Sequence, residues 1–404
     1  MKTYAVVGTG GRSLMMFAIP FAEELKPYAA LVGVCDINPV RAERFSDKAR
    51  GAPVYADFDR MLEETQPDTV IVTTPDHLHD EYIIRALEAG CDVISEKPMT
   101  TDASKCNAIL DAERRTGKKV TVTFNCRFMP YVVRVKELLK DGTIGELLSV
   151  NLEWSLDKQH GSDYFRRWHR RMVNSGGLLV HKSTHHFDMV NWWLDDEPEV
   201  VSAKGRLLFY GPTRKERGER CTACEYANTC EFYFDLSADA FMKEMYRDAE
   251  GVDGYYRDQC VFGEDIDIYD TMSLSVQYSR GALLTYSLNA YSPYEGWKAT
   301  FVGTKGRIEA QDFHSGFEAN DPSQRIKLYR ANDERTILES QKVTGLHGGG
   351  DQLLRRMLFA QDKPDPLGQM AGSRAGAMSM IIGAAANVSI AENRPIAVKD
   401  LLVE

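Results

Sequence analysis

The sequence predicts an α/β chain in two parts. The first is a doubly wound parallel sheet, and the second an α+β domain with a large open sheet, mixed or antiparallel. Three observations lead there. Strand-like and helix-like patterns alternate through residues 1–122, the signature of parallel strands joined by crossover helices. A glycine-rich turn stands between the first strand and the first helix. Beyond about residue 125 long alternating runs follow one another with few helices between them, which calls for antiparallel or mixed pairing. A length of 404 residues fits two domains, and we set them at 1–123 and 124–404.

Taken in order, 4–7 reads as a buried strand, 13–26 as a helix and 30–35 as a second strand. A helix over 39–49 starts at Pro39, suited to a first turn. Another β-branched run at 70–73 precedes a helix at 79–89, closed by Gly90. A strand at 93–95, a helix at 102–116 ending on Gly117 and a strand at 120–124 complete the first part. The second opens with a helix at 130–140, then strands at 147–154, 200–209, 271–278, 282–290 and 297–302. An Ala-rich helix over 374–390 is free to pack back on either domain.

Composition excludes several classes. With 43% hydrophobic residues the chain has material for cores and does not read as disordered. A net charge of −10 disfavours nucleic acid as a partner. No uninterrupted run of about 18 apolar residues and no N-terminal signal pattern stand out, so neither a membrane span nor export is expected and the cytoplasm is the default location.

The turn reads Gly8-Thr9-Gly10-Gly11-Arg12-Ser13, with Ser13 in the place of a third glycine. Gly8 permits the sharp turn, Gly10 lets backbone approach a pyrophosphate, and the helix start offers free N–H groups to phosphate. Asp36 ends the second strand, 28 residues after Gly8. There a carboxylate accepts from both adenosine ribose hydroxyls and repels a 2′-phosphate, so NAD is favoured over NADP. Arg41 is the counter-argument, because an arginine there pairs with that phosphate; the plain alternative for Asp36 is a helix N-cap. Thr74-Pro75-Asp76-His77-Leu78-His79 and Glu96-Lys97-Pro98 follow later strands, at the carboxyl edge where ligands bind in such sheets.

Together these residues resemble the Gfo/Idh/MocA family of sugar dehydrogenases, as do Asn125-Cys126-Arg127-Phe128, Gly176-Gly177, His185 and Asp188. The resemblance covers most of the chain. It implies a Rossmann domain, then a domain whose open sheet lines the substrate site and supports a homo-oligomer, dimer or tetramer. It also implies NAD as cofactor, a carbohydrate or cyclitol as substrate, Lys97 at the reacting oxygen and His185 as acid/base. Thr9, Arg12, Thr74, Pro75, His77, His79, Glu96, Asn125 and Trp168 would join the glycines and Asp36 around the cofactor. Arg127, Tyr164, Arg167, His169 and His186 would join Lys97, His181 and His185 around the substrate.

One departure concerns His181, which stands where the family commonly has Asp. His181 and His185 are four residues apart, which puts them on one face if the segment is helical. Histidine takes a carbinol proton near neutral pH without large tuning. With Lys97 they predict a cationic site suited to an anionic substrate. A metal held by His181, His185 and Asp188 is an alternative, as are helix-capping or core histidines. Residues 164–171 hold four arginines, a histidine and three aromatics, suited to sugar rings and to carboxylate, sulfonate or phosphate; a solvated turn paired with surface acids is the alternative.

An insertion at about 211–265 carries Cys221, Cys224, Cys230 and Cys260, four of the eight cysteines. CxxC spacing is compatible with structural Zn²⁺ or an iron–sulfur cluster, although no second CxxC supplies a fourth ligand; free buried thiols are the alternative. We read the insertion as a lid or subunit contact. The functional reading is an NAD-dependent oxidoreductase. Against it stand a redox-neutral glycoside hydrolase that oxidises C3 transiently and retains NAD, and a non-catalytic dinucleotide sensor.

Overall fold

The computed structural model describes every residue except 331–333, 344, 361–362 and 403–404, together with all side chains of those residues but that of Leu346. The last two residues of the expected second domain therefore lie outside the described residues.

Strands β1 (Lys2–Val7), β2 (Ala29–Cys35), β3 (Val54–Tyr55), β4 (Thr69–Val72), β5 (Asp92–Ser95) and β6 (Val120–Val122) run parallel. In the second half come β7 (Leu147–Asp157), β8 (Pro198–Arg206), β9 (Thr271–Tyr278), β10 (Leu283–Ser292) and β11 (Gly296–Gly303). They are followed by β12 (Gly306–Phe313), β13 (Ser323–Arg330), β14 (Arg335–Gln341), β15 (Ala371–Gly372) and β16 (Ile396–Ala397). The first sheet has the order β15-β6-β5-β4-β1-β2-β3 and the second β14-β13-β12-β11-β7-β10-β9-β8-β16.

In the first sheet β4 is wholly buried, as is β1 from Tyr4 on apart from its two exposed or half-exposed leading residues. Such strands are covered by helices on both faces and read as continuous apolar runs. Strand order reverses between β1 and β4, so the loops after them, starting at Gly8 and Thr73, diverge and leave a crevice between. In the second sheet β10 lies parallel to β7 and every other neighbouring pair is antiparallel. Here burial alternates residue by residue, as in β9 and β10, which leaves one face of the sheet polar and open.

Two expected elements differ. The first helix runs through Gly11–Ser13, a π segment at Leu14–Ala18 and Ile19–Ala22, and stops short of residue 26. Pro20 has no N–H for the carbonyl four residues back and its ring crowds that carbonyl, and a wider turn relieves both. The Ala-rich helix Ser373–Glu392 touches both parts of the chain. Gly376 lies against Val122 and Met99, and Gly383 against the Leu179 carbonyl. This helix is long and apolar enough to cross a membrane by length and composition, but it is mostly buried and packs against β8 and the helix Ser183–Leu194 as a core element.

Candidate active site

A cavity of about 1290 Å³ runs from the loop after β1, past the Lys97 turn, to the strands β12–β14. Gly8 starts it with φ +88°, and a Cβ there would sit 2.6 Å from the backbone of Thr73 and Thr74. Only glycine lets the two diverging loops cross so closely. A Cβ at Gly10 would meet only the Tyr246 hydroxyl, at 4.0 Å. The Thr9 N–H and hydroxyl both donate to Asp36 Oδ2 at 2.7 Å, and the Asn38 N–H donates to Asp36 Oδ1 at 2.7 Å. Asp36 thus joins the loops after β1 and β2 and lines the cavity with Arg41, Thr74, Pro75, Glu96 and Asn125. Thr74 Oγ1, Asn125 Oδ1 and Arg41 Nη1 are buried polar atoms without a partner. A dinucleotide's hydroxyls and amide would satisfy such atoms, so the crevice fits the expected cofactor.

Arg12 connects this loop to distant segments. Its Nε donates to Glu96 at 2.9 Å and its Nη1 to Asp351 at 2.7 Å, while Asn125 Nδ2 reaches the other Asp351 oxygen at 2.6 Å. His79 is buried between the Thr74 and Pro98 carbonyls, at 2.9 and 2.8 Å, tying the two edge loops together. Ser13 is a tether too, its hydroxyl bonded to that of Thr73 at 2.9 Å.

Around Lys97 the chemistry concentrates. Its Nζ donates to the His181 carbonyl at 3.1 Å, and burial, opposed by Asp76 and Glu96, pulls its pKa down to about 8. His181 Nδ1 meets Asp76 Oδ2 at 2.5 Å. Both groups are buried; burial pushes Asp76 well above the usual carboxylate range and His181 well below the usual histidine range. One proton lies between Nδ1 and Oδ2 in this contact, and the carboxyl fixes the ring's orientation. His185 is also held well below its ordinary value, first by burial and then by Lys97, and its Nδ1 has no partner. His169 stacks on Trp168 at 3.6 Å and touches His181 edge-on at 4.2 Å. A second relay lies beside the first: the Tyr164 hydroxyl contacts His160 Nε2 at 2.9 Å, and His160 Nδ1 contacts Glu295 at 2.8 Å.

Several expectations need correcting. Arg127 does not line the cavity: it forms a buried two-pronged pair with Asp188, at 2.7 and 2.6 Å. That contact also removes Asp188 from any metal set. His77 stands behind Trp168, ring centroids 6.5 Å apart, with no place in the cavity lining. The strongly cationic site does not form either. Burial keeps His169, His181, His185 and His186 neutral, because each uncompensated charge there would lose its hydration. The arginines of 164–171 have internal partners: Arg166 the Phe232 carbonyl, Arg167 Asp163, Arg170 Asp265 and Arg171 Asp267. Arg167 alone of the four lines the cavity.

His186 lines the cavity as expected, but as a wall: its ring stacks on Trp154 at 3.6 Å and its Nδ1 meets the Tyr286 hydroxyl at 2.7 Å. Among the described residues no group of three His, Cys, Asp or Glu is arranged to hold a metal ion. Arg166 and Arg214 point N–H groups at the sulfurs of Cys221 and Cys230, at 3.4 and 3.5 Å, so both thiols have hydrogen-bonding neighbours.

Sequence reasoning missed Asp76, His160, Glu295, Trp154, Asp312 and Asp351. Asp76 lay inside a segment already singled out, and His160 is four residues before Tyr164 on one helix. The others are brought in from strands or loops more than 100 residues away from their partners in sequence, or carried no motif.

Residues 2–124 match the family described as "Oxidoreductase family, NAD-binding Rossmann fold". Residues 136–398 match its partner, "Oxidoreductase family, C-terminal alpha/beta domain". The chain belongs to the Gfo/Idh/MocA oxidoreductase family. Within that family it is 40% identical to the Bacillus subtilis protein YteT, named as an oxidoreductase, over 99% of both chains. It is 34% identical to the D-glucoside 3-dehydrogenase of Escherichia coli over 47% of this chain and 53% of that one. A levoglucosan dehydrogenase solved with NADH and levoglucosan shares the Gfo/Idh/MocA fold, with a TM-score of 0.69 at 18% identity over 98% of this chain and 99% of the other. As a Gfo/Idh/MocA member the protein is an enzyme, and the non-catalytic sensor alternative is set aside.

Proposed function

We propose that the protein transfers hydride between a ring carbinol of a sugar, glycoside or cyclitol and NAD. The observation that carries this reading is the meeting of Lys97, the Asp76–His181 pair and His185 on one wall of a cavity whose other end is the Gly8–Arg12 turn with Asp36. The names of relatives such as D-glucoside 3-dehydrogenase support the substrate class.

NAD, when bound, supplies the hydride acceptor. Gly10 and the helix start would receive its phosphates, Asp36 its ribose, and Thr74 and Asn125 its remaining polar atoms. The protein's own residues handle the proton. Lys97 donates a hydrogen bond to the substrate oxygen and stabilises the negative charge that grows there as hydride departs. With the proton shared with Asp76 drawn onto Nδ1, His181 accepts the hydroxyl proton at Nε2, and the Asp76 carboxylate so formed offsets the ring's charge. His185 offers a second neutral ring to an adjacent hydroxyl.

The cavity continues past this point to Trp154, Asp312, His314 and Lys342. Trp154 Nε1, His186 Nε2 and Asp312 Oδ1 are buried there without hydrogen-bond partners, with Lys342 Nζ 3.9 Å from Asp312 Oδ1. These unsatisfied groups favour a substrate with a second polar moiety beyond the reacting ring, a glycoside rather than a free monosaccharide. An oligomer through the open polar face of the second sheet is part of the same proposal, and light scattering tests it.

The test is NADH absorbance over a panel of monosaccharides, glycosides and cyclitols. NAD binding with no reduction by any of them counts against the proposal.

A second reading draws on the Tyr164–His160–Glu295 relay, more proton-transfer machinery than one oxidation needs. The C3 hydroxyl is oxidised to a ketone, a base removes the acidified C2 proton, and the protonated aglycone leaves. Water then adds across C1–C2 and the ketone is reduced with the hydride first removed. Aglycone release on catalytic NAD, with solvent deuterium at C2, selects this reading; stoichiometric NADH selects the first.

A further inference from the structure

The insertion folds back over the nucleotide crevice. The Tyr246 hydroxyl accepts from the Gly11 N–H at 2.8 Å, and Asn38 Nδ2 donates to the Ala249 carbonyl at 3.0 Å. Beyond this contact the Asp253 carboxylate forms a close ion pair with Arg41, whose Nη2 lies 3.7 Å from Asp36. Asp253, Arg41 and Asp36 are all nine-tenths buried side chains, and all three line the cavity. Arg12 and Arg85 also line this end of it; Arg12 pairs with Glu96 and Asp351 at 2.9 and 2.7 Å, and Arg85 with Asp59 and Glu81, each at 2.8 Å.

We propose that Asp253 is a specificity-determining residue that selects NAD over NADP. It takes up the guanidinium of Arg41, which would otherwise be free to meet a phosphate on the adenosine ribose, and it sets a second carboxylate beside Asp36. This rests on the reading of the crevice as a dinucleotide site. Arg41 next to Asp36 alone leaves the preference open, because a 2′-phosphate could draw the guanidinium away from a single carboxylate. With Asp253 in place the phosphate meets two carboxylates and one cation already shared between them. Like charges brought together at a desolvated site strongly disfavour binding. The discriminating group is thus delivered from more than 200 residues along the chain, by a segment outside the glycine fingerprint. The free Arg41 Nη1 still has an N–H for a ribose hydroxyl.

The test is binding of NAD⁺ and NADP⁺ to the full-length protein by calorimetry, without substrate. The wild type should prefer NAD⁺. Asp253→Asn should raise NADP⁺ affinity about tenfold or more, the scale of one removed repulsion at a buried site, with NAD⁺ affinity nearly unchanged. Adding Arg41→Met should abolish that gain. Asp253→Ser serves if the asparagine variant does not fold, and Arg41→Met alone should weaken both nucleotides alike. An unchanged NADP⁺-to-NAD⁺ ratio in Asp253→Asn, or equal loss of both, overturns the proposal while leaving the dinucleotide reading standing. A wild type that binds neither nucleotide overturns that reading and the proposal with it.

Discussion

Asp76 holds the Nδ1 of His181 at 2.5 Å across 105 residues of sequence. One comes from the turn after β4, the other from the helix Leu178–His181, directly before the Ser183–Leu194 helix. The carboxyl orients the ring, and burial keeps the ring neutral and able to accept a proton. Asp76→Asn should therefore lower kcat by about 10²–10³-fold, the range of general acid–base contributions, with KM little changed. His181→Gln should do the same, and the double variant should be no worse than either alone because the two act as a unit. Additive losses in steady-state kinetics would refute the pairing.

Lys97 sets the alkaline limit. Its pKa is drawn down to about 8, so it is charged below that pH and neutral above. Charge is what steadies the substrate oxygen, so kcat/KM should fall as pH rises through about 8. His181 and His185 sit well below the ordinary 6.5, so no loss is expected as pH drops to that value. Lys97→Arg should be slower but should lose the alkaline limb, since arginine stays protonated there. A limb that persists in this variant would belong to another group.

Asp351 gathers Arg12, Asn125 and His347, at 2.7, 2.6 and 3.1 Å. Removing its carboxylate leaves Arg12 with Glu96 alone. Arg12 is one-third exposed, which trims the usual cost of breaking a buried pair to about 2–3 kcal/mol. Urea unfolding of Asp351→Ala, Arg12→Ala and the double variant should show that cost and a strong coupling between them.

Asp312 and Trp154 should govern substrate length. Asp312→Asn and Trp154→Phe should raise KM for glycosides about tenfold, the worth of one hydrogen bond to a buried polar group, and leave KM for the matching monosaccharide alone. Equal effects on both would place these residues outside the substrate's reach.

The insertion cysteines should be indifferent to metal. A strong chelator should leave Tm unchanged, and elemental analysis of the purified protein should find no stoichiometric zinc or iron.

The local signals in the sequence were of two kinds, periodicity and fixed-spacing motifs. Period alone placed five of the six parallel strands to within a residue or two, because a strand buried on both faces has no choice but continuous apolar side chains, and it missed the two-residue, largely uncovered edge strand β3. Spacing placed Gly8, Gly10 and Asp36, because a turn and a strand end are short-range objects. Both kinds failed where the decisive neighbour is remote. Arg127 looked like a substrate contact until Asp188 was found opposite it. The arginines of 164–171 looked free until Asp163, Asp265 and Asp267 were found beside them.

By itself, then, the sequence determined the α/β class, the nucleotide turn, Lys97 at a strand edge and a pair of histidines four residues apart. Only the tertiary structure decided their charge state and partners. Burial made the histidines neutral, Asp76 chose His181 over His185 as the oriented base, and the insertion brought Asp253 to Arg41. The physical reason is that protonation depends on desolvation and on charges within a few ångströms, and those distances exist only after the chain has closed on itself.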